Sequence, residues 1–120
     1  KATVRSKGGW YEELAAALDA VHAERPFYDD LVAFMSRGPV VAMVVEGPED
    51  TWEVVRTMMG ATNPRAAVPG TIRGDLGILF TENLVHGSDS VENGEKEIAL
   101  WFTDDELVDW EQANKTWILE

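Results

Sequence analysis

The stretch Val40–Val45, with the sequence VVAMVV, is an apolar run of six residues between two breaks, Gly38-Pro39 and Gly47-Pro48. Its length and its four valines favour a β-strand, because strands are short and β-branched side chains pack well on a pleated surface. An apolar run without alternation is typical of a strand that is buried on both faces. We therefore predict a strand at Val40–Val45 with both faces covered.

Helices are predicted on both sides of this strand. Their apolar residues recur at spacings of three and four, as on one face of a helix, and Pro26 and Gly60 are suitable stops for two of them. The predicted helices are Trp10–Ala23, Phe27–Ser36 and Glu49–Met59.

The other segments are shorter or are interrupted by proline and glycine. Ala61–Gly74 has two of each, and a connection of this length in a compact domain is usually functional. Ser88 or Asp89 can cap a helix that runs to about Lys96. The remaining predicted elements are a strand at Lys1–Arg5, a loop at Ser6–Gly9, a strand or irregular segment at Leu76–Phe80, a strand at Ile98–Phe102, a short helix at Asp104–Trp110 capped by Thr103, and a packed tail at Trp117–Glu120.

Composition and charge restrict the class of protein. The chain has 120 residues, 45% of them hydrophobic, which predicts a single domain over residues 1–120. The formal charge is -12, from 22 acidic and 10 basic residues, which argues against nucleic acid or an anionic membrane as a partner. This surplus is typical either of a well-solvated surface or of a protein adapted to high salt. The absence of cysteine excludes disulfides, and we expect a cytoplasmic protein.

The stretch Asn83–Ser90, with the sequence NLVHGSDS, concentrates reactive side chains, and Glu97 follows shortly. Neutral imidazole is a good nucleophile near pH 7, so His86 is a candidate nucleophile. It would need a group that orients the ring and stabilises the cation formed on attack, for which Ser88, Asp89 and Glu97 are the nearby candidates. The alternative is an ordinary histidine in a surface loop.

Further motifs surround this stretch. They are RPFY at 25–28, SRGPVVAMV at 36–44, EG at 46–47, Arg56, GATNP at 60–64, PGTIRGD at 69–75, EIALWF at 97–102 and WILE at 117–120. Together with Asn83–Ser90 they resemble the nucleoside diphosphate kinase family, from about Glu12 onward. The resemblance implies a ferredoxin-like α+β fold, with an antiparallel sheet on which helices pack.

The resemblance also implies an activity. Family members transfer the γ-phosphate of a nucleoside triphosphate such as ATP to a nucleoside diphosphate, with Mg²⁺, by a ping-pong route through a phosphohistidine. His86 stands at the position of the phosphorylated histidine, Glu97 matches the carboxylate that orients its ring, and Ser88 matches a supporting hydroxyl. Magnesium would be held by phosphate oxygens and water near Asp89, without a direct protein ligand.

Five residues match nucleotide-binding positions of the family. Arg56 and Arg73 match phosphate-binding arginines, and a guanidinium suits this role because its planar fork meets phosphate oxygens in bidentate fashion. Thr62 matches a phosphate-contacting hydroxyl, Asn83 a residue that binds the sugar, and Phe27 the aromatic residue on which the base stacks. Family members are hexamers or tetramers, which implies a homo-oligomer with contacts at Ala61–Gly74 and Trp117–Glu120.

The sequence departs from the family in three places. The strand with the Lys-Pro-Asp motif does not precede Lys1, Asp19 replaces a tyrosine near the phosphates, and there is one extra residue between Gly47 and Arg56. Three explanations are open: a fragment of a longer enzyme, a sheet rebuilt from Lys1–Arg5 or a partner chain, or a degenerate relative. The alternative function is therefore a nucleotide-binding or assembly module without turnover.

Overall fold

The computed structural model describes residues 2–7, 24 and 26–118, and the side chains of residues 24 and 26–117. The predicted helix Trp10–Ala23 and the departure at Asp19 lie outside the described residues, as do Leu119 and Glu120.

A two-stranded antiparallel sheet joins the first described residues to the apolar run. Strand β1 (Ala2–Lys7) pairs with strand β2 (Val40–Val45), with Ala2 opposite Val45 and Lys7 opposite Val40. The predicted N-terminal strand is confirmed, but the predicted loop is wrong at Ser6 and Lys7. Because β2 presents six residues to its neighbour, the ladder continues to Lys7.

The prediction that Val40–Val45 is buried on both faces is wrong. Successive side chains of β2 alternate between half-buried and exposed positions, and Val41 is 60% exposed. Since neighbouring side chains of a strand point to opposite faces, covering one side of the sheet leaves every second residue in solvent. Apolar composition alone therefore overstated the burial of this strand.

Two helices follow their predicted limits closely. Helix α1 (Tyr28–Ser36) begins after Phe27, and its buried residue is Val32. Helix α2 (Thr51–Met59) ends at Gly60, which has a φ of 86°. Glycine adopts positive φ without a steric penalty, so the predicted helix stop at Gly60 is confirmed.

The long connection after α2 contains short helical turns that the sequence did not predict. A 3₁₀ turn, Pro64–Ala66, is capped by Asn63, and helix α3 (Ile72–Leu76) is capped by Thr71, whose hydroxyl accepts from the Gly74 N–H. The next residues, 77–80, form neither helix nor strand.

The segment after the histidine differs most from the prediction. Helix α4 (Val91–Trp101) is capped by Ser90 rather than by Ser88 or Asp89, and it continues past Lys96. The predicted strand Ile98–Phe102 is therefore wrong. The Phe102 N–H donates to the Ile98 carbonyl at 2.9 Å, as in a helix, and five apolar residues do not distinguish a strand from a helix by periodicity.

The final elements are short. Thr103 forms a capping box with Glu106, but the helix it begins is a 3₁₀ turn at Asp104–Glu106 and stops before Trp110. Helix α5 (Lys115–Ile118) is a single turn in which Trp117 is 89% exposed, so the predicted packing of this tail is wrong at Trp117. One helical turn presents its side chains in all directions, and here the indole points to solvent. Among the described residues, none of the helices has the length and apolarity that crossing a bilayer requires.

Candidate active site

The structure brings together the three residues for which a catalytic role was predicted. His86 Nε2 lies 3.0 Å from Glu97 Oε2, and the Ser88 hydroxyl donates to the same oxygen at 2.6 Å. His86 is on an irregular loop, whereas Glu97 is on α4 and is mostly buried. Glu97 can therefore orient the imidazole through Nε2, while Ser88 orients Glu97. The ring nitrogen that this contact leaves available is Nδ1.

A sharp turn precedes the histidine. The Val85 N–H donates to the Asn83 carbonyl at 2.9 Å, and the residue between them, Leu84, has a φ of 73°. A hydrogen bond across one residue with this positive φ defines the rarer, strained type of γ-turn. We call residues 83–90 the histidine loop, and its direction changes just before His86.

The Arg73 side chain holds the histidine loop through hydrogen bonds to its backbone. Its guanidinium donates from Nε to the Asn83 carbonyl at 3.1 Å and from Nη2 to the Val85 carbonyl at 2.5 Å. Its third nitrogen, Nη1, donates to the Gly60 carbonyl at 3.0 Å, and the residue is 6% exposed. Burial, followed by the nearby Arg56 charge, lowers the pKa of Arg73. All these contacts are with the backbone.

Arg56 contacts the other side of the loop. It is on α2, and its Nη1 donates to the Gly87 carbonyl at 2.9 Å. Its charge also contributes to lowering the pKa of Asp89, for which the main cause is a 2.6 Å hydrogen bond from the Asn93 amide. Arg56 thus supplies positive potential beside His86 and Asp89.

Gly87 lies directly against α2. A Cβ atom placed there would be 2.5 Å from the sulfur of the buried Met59. A side chain at this position would force the Met59 side chain to move, and the histidine loop can approach α2 closely because Gly87 has none.

The predicted nucleotide contacts are only partly brought together. The Asn83 amide donates to the Thr62 carbonyl at 3.1 Å, so these two residues are neighbours. Phe27 precedes the first turn of α1, and its ring is partly exposed. The predicted contacts of Phe27, Thr62 and Asn83 with a nucleotide stay predictions.

Side chains that could hold a metal are scarce in the part of the chain that the structure describes. No group of three or more His, Cys, Asp or Glu residues there is placed to hold an ion. Asp89 accepts a hydrogen bond from Asn93. Its carboxylate is exposed, and the magnesium ion that the family resemblance implies near it, held by phosphates and water, stays a prediction.

Sequence reasoning missed the supports of the histidine. Nothing in the local sequence indicates that Leu84 has a positive φ, because leucine rarely adopts it. A glycine directly after the histidine was the only available signal for the close approach at Gly87. The contacts of Arg73 join residues 10 to 13 positions apart in the chain, and their geometry depends on the folded loop.

Comparison with known proteins gives a consistent result. A family model described as nucleoside diphosphate kinase matches residues 7–107. A nucleoside diphosphate kinase from Archaeoglobus fulgidus is 54% identical over 108 residues, which cover 90% of this chain and 71% of that protein. Another from Synechococcus elongatus is 50% identical over 108 residues, covering 90% of this chain and 72% of that protein.

Solved structures agree. The structure of a halophilic nucleoside diphosphate kinase from Halobacterium salinarum, in complex with CDP, matches this chain with a TM-score of 0.86 at 47% sequence identity. The match covers 98% of this chain and 80% of the Halobacterium salinarum chain. The structure of a nucleoside diphosphate kinase family protein from Babesia bovis matches with a TM-score of 0.86 at 40% sequence identity. This match covers 96% of this chain and 78% of the Babesia bovis chain. These relatives confirm the predicted ferredoxin-like α+β fold and the predicted phosphotransfer, and they do not favour a module without turnover. The chain belongs to the nucleoside diphosphate kinase family.

Proposed function

We propose that His86 is the residue that carries the phosphate when this nucleoside diphosphate kinase acts. The observation that carries the proposal is the 3.0 Å contact between His86 Nε2 and Glu97 Oε2. A carboxylate at Nε2 keeps the proton on that nitrogen, so the lone pair on Nδ1 is free to attack. The same carboxylate stabilises the cation that forms when the ring is phosphorylated.

The transfer is a pair of balanced displacements. Nδ1 forms a bond to the γ-phosphorus while the bond between that phosphorus and the β,γ-bridging oxygen breaks, and a nucleoside diphosphate leaves. An oxygen of the terminal phosphate of a second nucleoside diphosphate then attacks the phosphohistidine, and the N–P bond breaks. The Ser88 hydroxyl, 2.6 Å from Glu97 Oε2, keeps the carboxylate in place through both steps.

Nucleotide binding is proposed for the five residues that match family positions, which are Phe27, Arg56, Thr62, Arg73 and Asn83. Arg56 is the best supported, because it is a cation beside the histidine loop, and phosphoryl transfer depends on positioning and charge stabilisation. Thr62, Asn83 and Phe27 would contact phosphate, sugar and base respectively. We also propose Mg²⁺ held mainly by nucleotide phosphates and water. The bound CDP of the Halobacterium salinarum relative supports a nucleoside diphosphate as one substrate.

The larger organisation is also a proposal. We infer a single domain over residues 1–120 that assembles as a homo-hexamer or homo-tetramer in the cytoplasm. Exposed apolar side chains in the connection before the histidine loop and near the C-terminus support a partner surface, among them Val68, Leu76 and Trp117.

Labelling with γ-phosphate-labelled ATP and Mg²⁺ tests the proposal. The protein should take up label that acid removes and alkali does not, and a nucleoside diphosphate should discharge it. His86→Ala should abolish the label, whereas His22→Ala, at the only other histidine, should keep it. Glu97→Gln should slow labelling about 10- to 100-fold, because a charge-assisted hydrogen bond becomes a neutral one. A folded wild-type sample that takes no label, or label that survives His86→Ala, would overturn the proposal.

A further inference from the structure

We propose that Arg73 is a positioning residue, whose guanidinium holds the strained γ-turn at Leu84 so that His86 faces its substrate. The inference rests on the proposed role of His86 as the phosphorylated residue. It gives Arg73 a task in addition to the phosphate contact that the family resemblance implies.

The contacts of Arg73 surround the turn. The carbonyls of Asn83 and Val85, on either side of Leu84, accept from Nε and Nη2, and the carbonyl of Gly60, after the end of α2, accepts from Nη1. A guanidinium has five N–H groups in one plane, and all three of its nitrogens are used here. The residue is only 6% exposed, so the protein surrounds most of its side chain. The geometry is that of a clamp between α2 and the histidine loop.

The turn needs such a clamp. Leu84 has a φ of 73°, which a leucine adopts at a considerable energetic cost. Its side chain is 50% exposed, so its own packing offsets little of that cost. Strained conformations persist only where the surroundings over-determine them. Arg73 contributes bonds to the carbonyls of both neighbouring residues.

The strain matters because His86 follows Val85 directly. Arg73 holds Val85, and Arg56 holds the Gly87 carbonyl at 2.9 Å, so the chain is anchored on both sides of the histidine. If Leu84 relaxed to a negative φ, the path of the backbone into His86 would change. A misplacement of about 1 Å can cost about 100-fold in rate.

A double-variant cycle tests the inference. Arg73→Lys keeps the charge but lacks the planar fork, so it cannot reach three separate carbonyls. We expect it to lower the single-turnover rate of His86 phosphorylation at saturating ATP by about 100-fold. Leu84→Gly makes positive φ available without strain, so Arg73→Lys combined with Leu84→Gly should recover about tenfold of the lost rate.

Matched controls separate strain from general loosening. Leu79 is 49% exposed, lies in irregular structure and lacks the positive φ of Leu84. Leu79→Gly should therefore recover nothing in the Arg73→Lys background. Arg65→Lys makes the same replacement at an exposed arginine and should leave the phosphorylation rate unchanged, which controls for the exchange of arginine for lysine itself.

The outcomes are distinct. Arg73→Lys that raises the nucleotide Kd without slowing phosphorylation, or recovery no greater with Leu84→Gly than with Leu79→Gly, would overturn the inference. A wild-type protein that takes no label would instead defeat the proposed function. In that case the ¹⁵N NMR signals of the His86 ring decide whether the inference about Arg73 stands. Those signals should shift in Arg73→Lys and return in the double variant, and unchanged signals would refute the clamp.

A folding failure also gives a decision. Should Arg73→Lys not fold, as judged by circular dichroism, Leu84→Val with Arg73 intact replaces it, because a β-branched residue tolerates positive φ even less. We expect about a tenfold slower phosphorylation with an unchanged nucleotide Kd, and no such loss for Leu79→Val. Equal rates for these two variants would reject the strained turn as a catalytic feature.

Discussion

The histidine loop and strand β2 are held in opposite ways. Polar side chains bind the loop to its surroundings: Arg73 and Arg56 donate to its carbonyls, and the Ser88 hydroxyl donates to Glu97. Strand β2 consists entirely of apolar residues, yet every second one faces solvent. The histidine loop, which has more polar residues than β2, is thus held by more side-chain hydrogen bonds.

The difference shows what each region needs in order to keep its shape. A directed hydrogen bond places a group within a few tenths of an ångström, which a nucleophile and its carboxylate require. An apolar surface is stabilised by any layer of atoms that excludes water, because the hydrophobic effect has no preferred direction. The geometry of the site can therefore be complete while the sheet still has an open face.

The largest difference in stability between the two regions is expected when one methyl group is added in the histidine loop and one beside β2. Gly87→Ala would place a Cβ 2.5 Å from the Met59 sulfur, whereas a Cβ at Gly38, just before β2, meets nothing within 4 Å. We expect Gly87→Ala to lower the free energy of unfolding by about 1–3 kcal/mol and to slow phosphorylation. Gly38→Ala should stay within about 0.5 kcal/mol in thermal unfolding. Equal effects would mean that the loop does not pack tightly on α2.

A smaller effect is expected within β2 itself. Val44→Thr buries part of a hydroxyl on the covered face and should cost about 1 kcal/mol in denaturant unfolding. Val41→Thr, on a side chain that is 60% exposed, should cost less than about 0.5 kcal/mol. An equal cost at both valines that grows with protein concentration would show that the open face is covered by a second copy.

The smallest effect concerns pH. The Asn93 hydrogen bond lowers the pKa of Asp89 below its usual 3.8, so the unfolded chain binds the proton more readily than the folded one. The resulting stability is present above the unfolded pKa and is lost as the pH falls below it, toward the lower pKa of the folded state. Asn93→Ala should therefore flatten the decline of the unfolding temperature over this range. An unchanged profile would mean that the hydrogen bond contributes nothing in solution.

Local rules predicted the elements whose signals are local. The stop at Gly60 follows from the conformational freedom of glycine, and the limits of α1 follow from Pro26 and Gly38-Pro39 in the sequence. Ile98–Phe102 was mistaken for a strand because its apolar residues fit either element. The helix that begins at the Ser90 cap continues through this segment, since each further N–H finds a carbonyl four residues back.

In the candidate site, too, some features were predicted from the sequence and others are visible only in the structure. Sequence motifs predicted the pairing of His86 with Glu97, and the structure gives it a distance and a ring nitrogen. Arg73 was predicted as a phosphate ligand because its motif matches the family. The structure adds that three backbone carbonyls surround its guanidinium, which no motif reports, and the phosphate contact stays a prediction.

By itself, the sequence determined the family, the choice of His86 as the candidate nucleophile and the limits of the helices that glycine and proline bound, because these depend on residue type and short spacing. The tertiary structure alone decided which face of β2 is open, that Leu84 adopts a positive φ, and that Arg73 binds backbone carbonyls. The physical reason is that burial, strain and hydrogen-bond partners depend on groups distant in the chain, and only the folded backbone brings these groups together.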